Sequence, residues 1–184
     1  MAKFKFMETG IDGLTVIEST VFGDERGYFM ETFQKEEFRA AGLPVDFVQD
    51  NQSKSKQGVL RGLHFQKTNP QGKLVRVISG EVFDVGVDLR GGSPTYGQWR
   101  GVLLSAENKK QLYVPEGFAH GFVVLSVFAE FTYKCTRLYD PGDEGGIIWN
   151  DDGLGIDWQL GDVVPVLSDK DTKLPALKDL EFKF

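Results

Sequence analysis

Apolar and polar positions along this chain change over in short runs, and few stretches repeat with helical period. The runs 14–18, 28–33, 46–51 and 58–63 are β-prone and broken by Gly, Asp, Asn or Pro. The runs 74–78, 81–89, 101–104, 111–114, 121–125 and 130–138 continue the pattern, with a Ser79-Gly80 turn signal between the first two. Strands spaced by roughly 8–12 residues without intervening helices predict an antiparallel sandwich or barrel. One short helix is predicted over 35–41, with glutamates in its first turn and Gly42 and Pro44 as its stop.

Alternation also assigns faces. In 81–89, Phe83, Val85, Val87 and Leu89 share one side of a strand, while Val82, Asp84, Gly86 and Asp88 share the other. The apolar side is expected against a second sheet or a dimer partner, and the polar side against solvent or a pocket. Gln49 and Asn51 share a face, as do Phe131 and Tyr133. The last third differs in kind: 140–157 carries six acids, no bases and five glycines. It reads as a loop-rich cap, and 174–184 as a terminal helix or a wrapping segment. The expected organisation is one domain over 1–184, with a core at about 14–138 and a cap over 139–184.

Composition narrows the class. A chain of 184 residues buries roughly 70% of its unfolded surface, so a core forms without disulfides or structural metal. Its single cysteine, Cys135, cannot form an internal disulfide and reads as a small buried hydrophobe. The first ten residues lack an apolar core of signal-peptide length, and the longest apolar run, over 122–129, is too short to span a bilayer. A cytoplasmic protein without membrane partners is expected. A pI near 5.0 also argues against a nucleic-acid partner.

Charge points to one region. Residues 49–76 hold six of the 21 Lys and Arg residues against a single acid, Asp50, in a chain of net charge −6. The same stretch carries His64, one of two histidines. A cationic segment around an imidazole suits an anionic ligand with a base at its centre, although a solvated basic face has the same composition. His64 and His120 lie 56 residues apart, and no His-x-His pair supplies metal-ligand spacing, so no metal is expected. No Gly-x-Ser-x-Gly elbow, phosphate loop or dinucleotide signature is present, and no cofactor is expected. What remains is acid–base chemistry by a histidine, a tyrosine and lysines, the set that deprotonation beside a ketone requires.

The segments 24–33 (DERGYFMETF), 47–66 (FVQDNQSKSKQGVLRGLHFQ), 70–90 (PQGKLVRVISGEVFDVGVDLR) and 114–122 (VPEGFAHGF) resemble the dTDP-4-dehydrorhamnose 3,5-epimerase family. The stretches 133–141, 155–160 and 167–171 extend the resemblance over nearly the whole chain, in order. It implies an all-β, cupin-type antiparallel jelly roll with a few short helices and no metal. It also implies a homodimer with exchanged N-terminal strands, acting on a dTDP-sugar in dTDP-rhamnose biosynthesis. By position, His64 would be the base, Asp171 the carboxylate that orients it, Lys73 the enolate's cation and Tyr133 the acid on the opposite ring face. Asp84 is a second candidate for orienting His64. Arg26, Arg61 and His120 would meet the pyrophosphate or sugar, and Phe29, Glu31, Gln49 and Asn51 would line the nucleotide site. Tyr139 would stack on the thymine, with Glu144 and Lys170 near the ligand. Three alternatives stay open from the residues alone: inversion at one carbon or ketoisomerisation, a binding module without turnover, and a metal-dependent cupin.

Overall fold

The computed structural model describes residues 3–184. In chain order the elements are β1 (Phe4–Glu8), β2 (Thr15–Ser19), β3 (Val21–Asp24), β4 (Gly27–Met30), α1 (Lys35–Ala40), β5 (Gln49–Lys56), β6 (Leu60–Gln66) and β7 (Lys73–Ser79). They continue with β8 (Glu81–Asp88), β9 (Trp99–Ser105), β10 (Gln111–Val114), β11 (Phe118–Val124), β12 (Phe128–Cys135) and β13 (Glu144–Gly146). A six-stranded sheet runs β1-β2-β10-β7-β12-β5, and a five-stranded sheet runs β13-β6-β11-β8-β9. Both are antiparallel throughout, so the expected β-sandwich of the jelly-roll type is what forms. A third, two-stranded unit, the hairpin β3-β4, is bonded to neither large sheet. Among the described residues no helix is long and apolar enough to cross a membrane.

The core between the sheets joins Val16, Val75, Val77 and Leu112 of one to Val82, Leu104, Phe118, Phe122 and Val124 of the other. Two further layers close the outer faces. On the six-stranded sheet, α1 lays Phe38, fully buried, against Phe4, Ile17, Leu74 and Tyr113. Phe38 meets Phe4 edge-on at 5.2 Å between ring centroids. A six-residue helix has no stability of its own. Burial of Phe38, worth about 1.5–3 kcal/mol, and the Gln34 side chain, which accepts from Glu37 N at 2.6 Å, hold it in place.

The opposite outer face overturns one expectation. Val85, Val87 and Leu89 pack neither on the second sheet nor on a partner but under the C-terminal segment, against Ile147, Leu154 and Trp158, with Phe182 and Phe184 beside them. Residues 174–184 wrap with one short 3-10 turn, Leu177–Asp179, rather than forming an α-helix. The polar side of β8 therefore faces the interior, with Val82 in the core and Asp84 buried. Asp88, at the end of the same face, is also buried. It accepts from the backbone N, Nε and Nη2 of Arg90, from Ser93 Oγ and from Thr95 Oγ1 at 2.6–3.0 Å. Burial acts to raise its pKa, but these five donors hold it well below the ordinary carboxylate range.

Four strands escape the alternation rule, among them β13, which lies in the stretch read as a loop-rich cap. β1 and β3 precede any predicted run or lie between runs, and β5 starts three residues later than expected and extends to Lys56. In β5 the inward set is Gln49, Asn51, Ser53 and Ser55, so its period of two is polar on both faces. The Ser79-Gly80 turn forms as predicted. Gly80 has φ +78°, and a Cβ there would stand 2.0 Å from the Phe128 carbonyl oxygen, so only glycine fits.

Candidate active site

The two sheets part at one end around a cavity of about 520 Å³, lined by Arg61, His64, Lys73, His120, Tyr133, Tyr139, Glu144, Lys170 and Asp171. Nine of the fourteen residues singled out from the sequence thus meet in one place. They come from opposing walls. Lys73 pairs with Cys135, Tyr133 with Val75 and with Asn51, and Cys135 with Gln49, so Lys73, Tyr133, Cys135, Gln49 and Asn51 share one face of the six-stranded sheet. His64 and His120 are paired with each other on the five-stranded sheet.

Simple parity would send Arg61 and His64, three residues apart, to opposite faces. A β-bulge prevents this: Phe122 pairs with Arg61 while His120 pairs with His64, so β6 carries one extra residue. Gly62 sits at the bulge with φ +130°, and a Cβ there would lie 2.5 Å from Gly121 Cα. The glycine lets the strands approach, and both side chains reach the cavity. Arg61 Nη2 also donates to Ser55 Oγ at 3.2 Å.

His64 Nε2 lies 2.6 Å from Oδ1 of Asp171, a buried residue at the start of the 3-10 turn Asp171–Lys173. Burial acts to raise the Asp171 carboxyl, but the hydrogen bond and charge of His64, with smaller help from Ser168 and Lys170, carry it below its usual value. An ionised Asp171 accepts a hydrogen bond from Nε2–H and leaves the Nδ1 lone pair as the basic site. Asp84, the other candidate for this task, instead accepts from His120 Nε2 at 2.9 and 3.0 Å. Each histidine thus has its own aspartate.

Burial pushes the Tyr133 phenol above its ordinary pKa, with Cys135 adding to the rise and Arg61 opposing it. The group is a protonated donor at neutral pH. Burial pulls the Lys73 ammonium down, against Cys135, Asp84 and Glu144. Glu144, on β13, accepts from Tyr139 OH at 2.9 Å and from Lys170 Nζ at 2.8 Å, and its Oε1 stands 3.8 Å from His64 Nδ1.

Five sequence-derived residues lie outside the cavity lining. Gln49 and Asn51 stand at its rim, where Gln49 Oε1 accepts from Tyr139 N at 2.9 Å and Gln49 Nε2 donates to Asn51 Oδ1 at 3.0 Å. Arg26 and Phe29 belong to the exposed β3-β4 hairpin, where Arg26 pairs with Asp24, and Phe29 is 65% exposed rather than part of the core. Glu31 follows the hairpin and pairs with Lys3. The sequence reading missed the aromatic wall, Phe122 stacked on Phe131 at 4.2 Å and 19°. Parity had already put Phe131 beside Tyr133, which was the available signal. It also missed Gln71 and Ser168. Among the described residues no group of three or more His, Cys, Asp or Glu side chains is placed to hold a metal ion.

Fold and site together define a β-sandwich with an acid–base cavity between its sheets. The model for the dTDP-4-dehydrorhamnose 3,5-epimerase family matches residues 8–179. A dTDP-4-dehydrorhamnose 3,5-epimerase of Methanothermobacter thermautotrophicus is 56% identical over 180 residues, 97% of each chain. The crystal structure of dTDP-4-dehydrorhamnose 3,5-epimerase from Elizabethkingia anophelis superposes with a TM-score of 0.94 at 50% identity, covering 98% of this chain and 100% of that one. A dTDP-6-deoxy-D-glucose-3,5-epimerase from Legionella pneumophila, solved in complex with dTDP-4-keto-L-rhamnose, gives 0.93 at 52% identity, covering 97% and 95%. This chain belongs to the dTDP-4-dehydrorhamnose 3,5-epimerase family.

Proposed function

We propose that this protein inverts C3 and C5 of dTDP-4-dehydro-6-deoxy-D-glucose, giving dTDP-4-dehydro-β-L-rhamnose for dTDP-L-rhamnose biosynthesis, without metal or cofactor. The observation that carries the reading is a carboxylate-bound imidazole on one sheet and a partly buried, protonated phenol on the other, around Lys73. Both target carbons flank the C4 ketone, so one base serves twice. His64 Nδ1 takes the proton, the C–H electron pair moves onto the C4 oxygen, and Lys73 with Arg61 holds that negative oxygen. Tyr133 then returns a proton from the opposite ring face, and the carbon is inverted. Positioned acid–base groups contribute roughly 10²–10⁴-fold and oxyanion donors about 10²–10³-fold each.

The nucleotide lies toward the rim. Tyr139, half exposed, stacks on the thymine, Arg61 and His120 meet the pyrophosphate or sugar, and Glu144 and Lys170 border the ligand. Gln49 and Asn51 extend this subsite, which Arg26, Phe29 and Glu31 complete from a second copy of the chain. Two features support such a homodimer. The β3-β4 hairpin exposes Phe22, Tyr28 and Phe29, and β5, which carries Gln49 and Asn51, is the outermost strand of the six-stranded sheet. The exchanged N-terminal element is then this hairpin; β1 is bonded to β2 of its own chain. The setting is the cytoplasm.

Proton NMR of the reaction in deuterated water tests the reading. Deuterium is expected at both C3 and C5, and His64→Ala is expected to abolish both. Label at one carbon reduces the activity to mono-epimerisation, and undiminished exchange in His64→Ala removes His64 as the base.

A further inference from the structure

A base that serves two carbons must be discharged between them. Each inversion leaves a proton on His64 and removes one from Tyr133, so the second abstraction waits until both groups are restored. Asp171 offers no exit for the first proton, because it is buried and already engaged at Nε2. The other nitrogen, Nδ1, has one carboxylate near it among the described residues, Glu144 Oε1 at 3.8 Å. Glu144 differs from Asp171 in facing outward as well. Its oxygens bind Lys170 Nζ and Tyr139 OH, two side chains that are about half exposed. Backbone pairing fixes this arrangement: on β13, Gly146 pairs with His64 and Glu144 with Gln66.

We propose that Glu144 is the proton relay that resets His64 between the two inversions, carrying its proton from Nδ1 to the solvent-facing Lys170–Tyr139 rim. The inference rests on the epimerase reading. The steps balance. Abstraction breaks C–H, forms Nδ1–H and places the electron pair on the C4 oxygen; the Tyr133 O–H bond breaks as the new C–H bond forms. The Nδ1 proton then passes to the Glu144 carboxylate and on to solvent, while the Tyr133 phenolate takes a proton from solvent. Nothing is consumed. At 3.8 Å the pair is beyond direct hydrogen-bond range, so transfer needs a small swing of Glu144 or one intervening water. Burial acts to raise the Glu144 carboxyl, but Lys170, Tyr139 and His64 hold it below its usual value, so it waits ionised and gives up its proton readily.

The test uses the full-length Glu144→Gln protein, dTDP-4-dehydro-6-deoxy-D-glucose and time-resolved NMR in deuterated water. The amide keeps the size of the carboxylate and one accepting oxygen for Lys170 or Tyr139, but takes up no proton. Exchange at the second carbon is expected to fall about ten-fold or more relative to the first, so that singly labelled sugar accumulates. In Glu144→Ala, added formate is expected to restore the ratio by replacing the missing carboxylate. A purely structural or binding role lowers both carbons equally and gains nothing from formate. Either an unchanged ratio in Glu144→Gln or no rescue of Glu144→Ala overturns the relay. Absence of label at both carbons in the unmodified protein removes the epimerase reading itself, and the relay with it.

Discussion

Tyr133 is where residue chemistry is most sharply defined. Its phenol is made more basic by burial, so at neutral pH it can give a proton but not take one from carbon. Tyr133→Phe is therefore expected to lower inversion by roughly 10²–10⁴-fold while His64 goes on exchanging hydrogen from its own side of the ring. Product analysis beside deuterium exchange separates the two: equal loss of both assigns Tyr133 to binding. Rarity and pKa made His64 legible in the sequence, and the family's motifs made Tyr133 and Lys73 legible. The partnership between Glu144 and His64 was not, because they lie 80 positions apart and Glu144 sits on a strand of only three residues. Nor does any local rule reveal that Arg61 and His64 point the same way, since a bulge reverses the parity that would separate them.

At the scale of elements, Asp88 ends β8 by gathering Arg90, Ser93 and Thr95 into one knot. Its pKa in the folded protein is depressed, so its contribution to stability is complete above the ordinary carboxylate value of about 4 and is lost as pH falls below it. Asp88→Ala is expected to cost about 3–5 kcal/mol at neutral pH and to flatten the acid limb of a stability–pH curve. Urea denaturation across pH measures both, and an acid limb as steep as in the unmodified protein moves the effect to other carboxylates. β8, with Phe83, Val85 and Val87 on one face, was readable from alternation. β5 was displaced because its inward face is built from amides and hydroxyls, which carry no hydrophobic signal although they border the site.

For the whole molecule, the proposed homodimer rests on the exposed β3-β4 hairpin. Replacing Phe22 and Phe29 together by Ser removes two of the three exposed aromatic rings of β3-β4 without touching either sheet. Analytical ultracentrifugation is expected to show monomers, and nucleotide affinity is expected to fall about ten-fold or more. A dimer that survives with undiminished affinity rules out the hairpin as the joint. Antiparallel architecture could be foreseen from strand spacing, whereas the wrapping of the C-terminal segment over β8 could not. The apolar side of a strand says that something covers it but not which segment does.

Because the proposed acid, Tyr133, and the proposed base, His64, stand on different sheets, the gap between them depends on what fills the space between those sheets. Phe122 and Phe131, stacked beside the cavity and carried by opposite sheets, are placed to act as the shim. Trimming either ring would detune proton transfer well before the protein melts. The same two positions are where selection for a bulkier or slimmer sugar would find room to work.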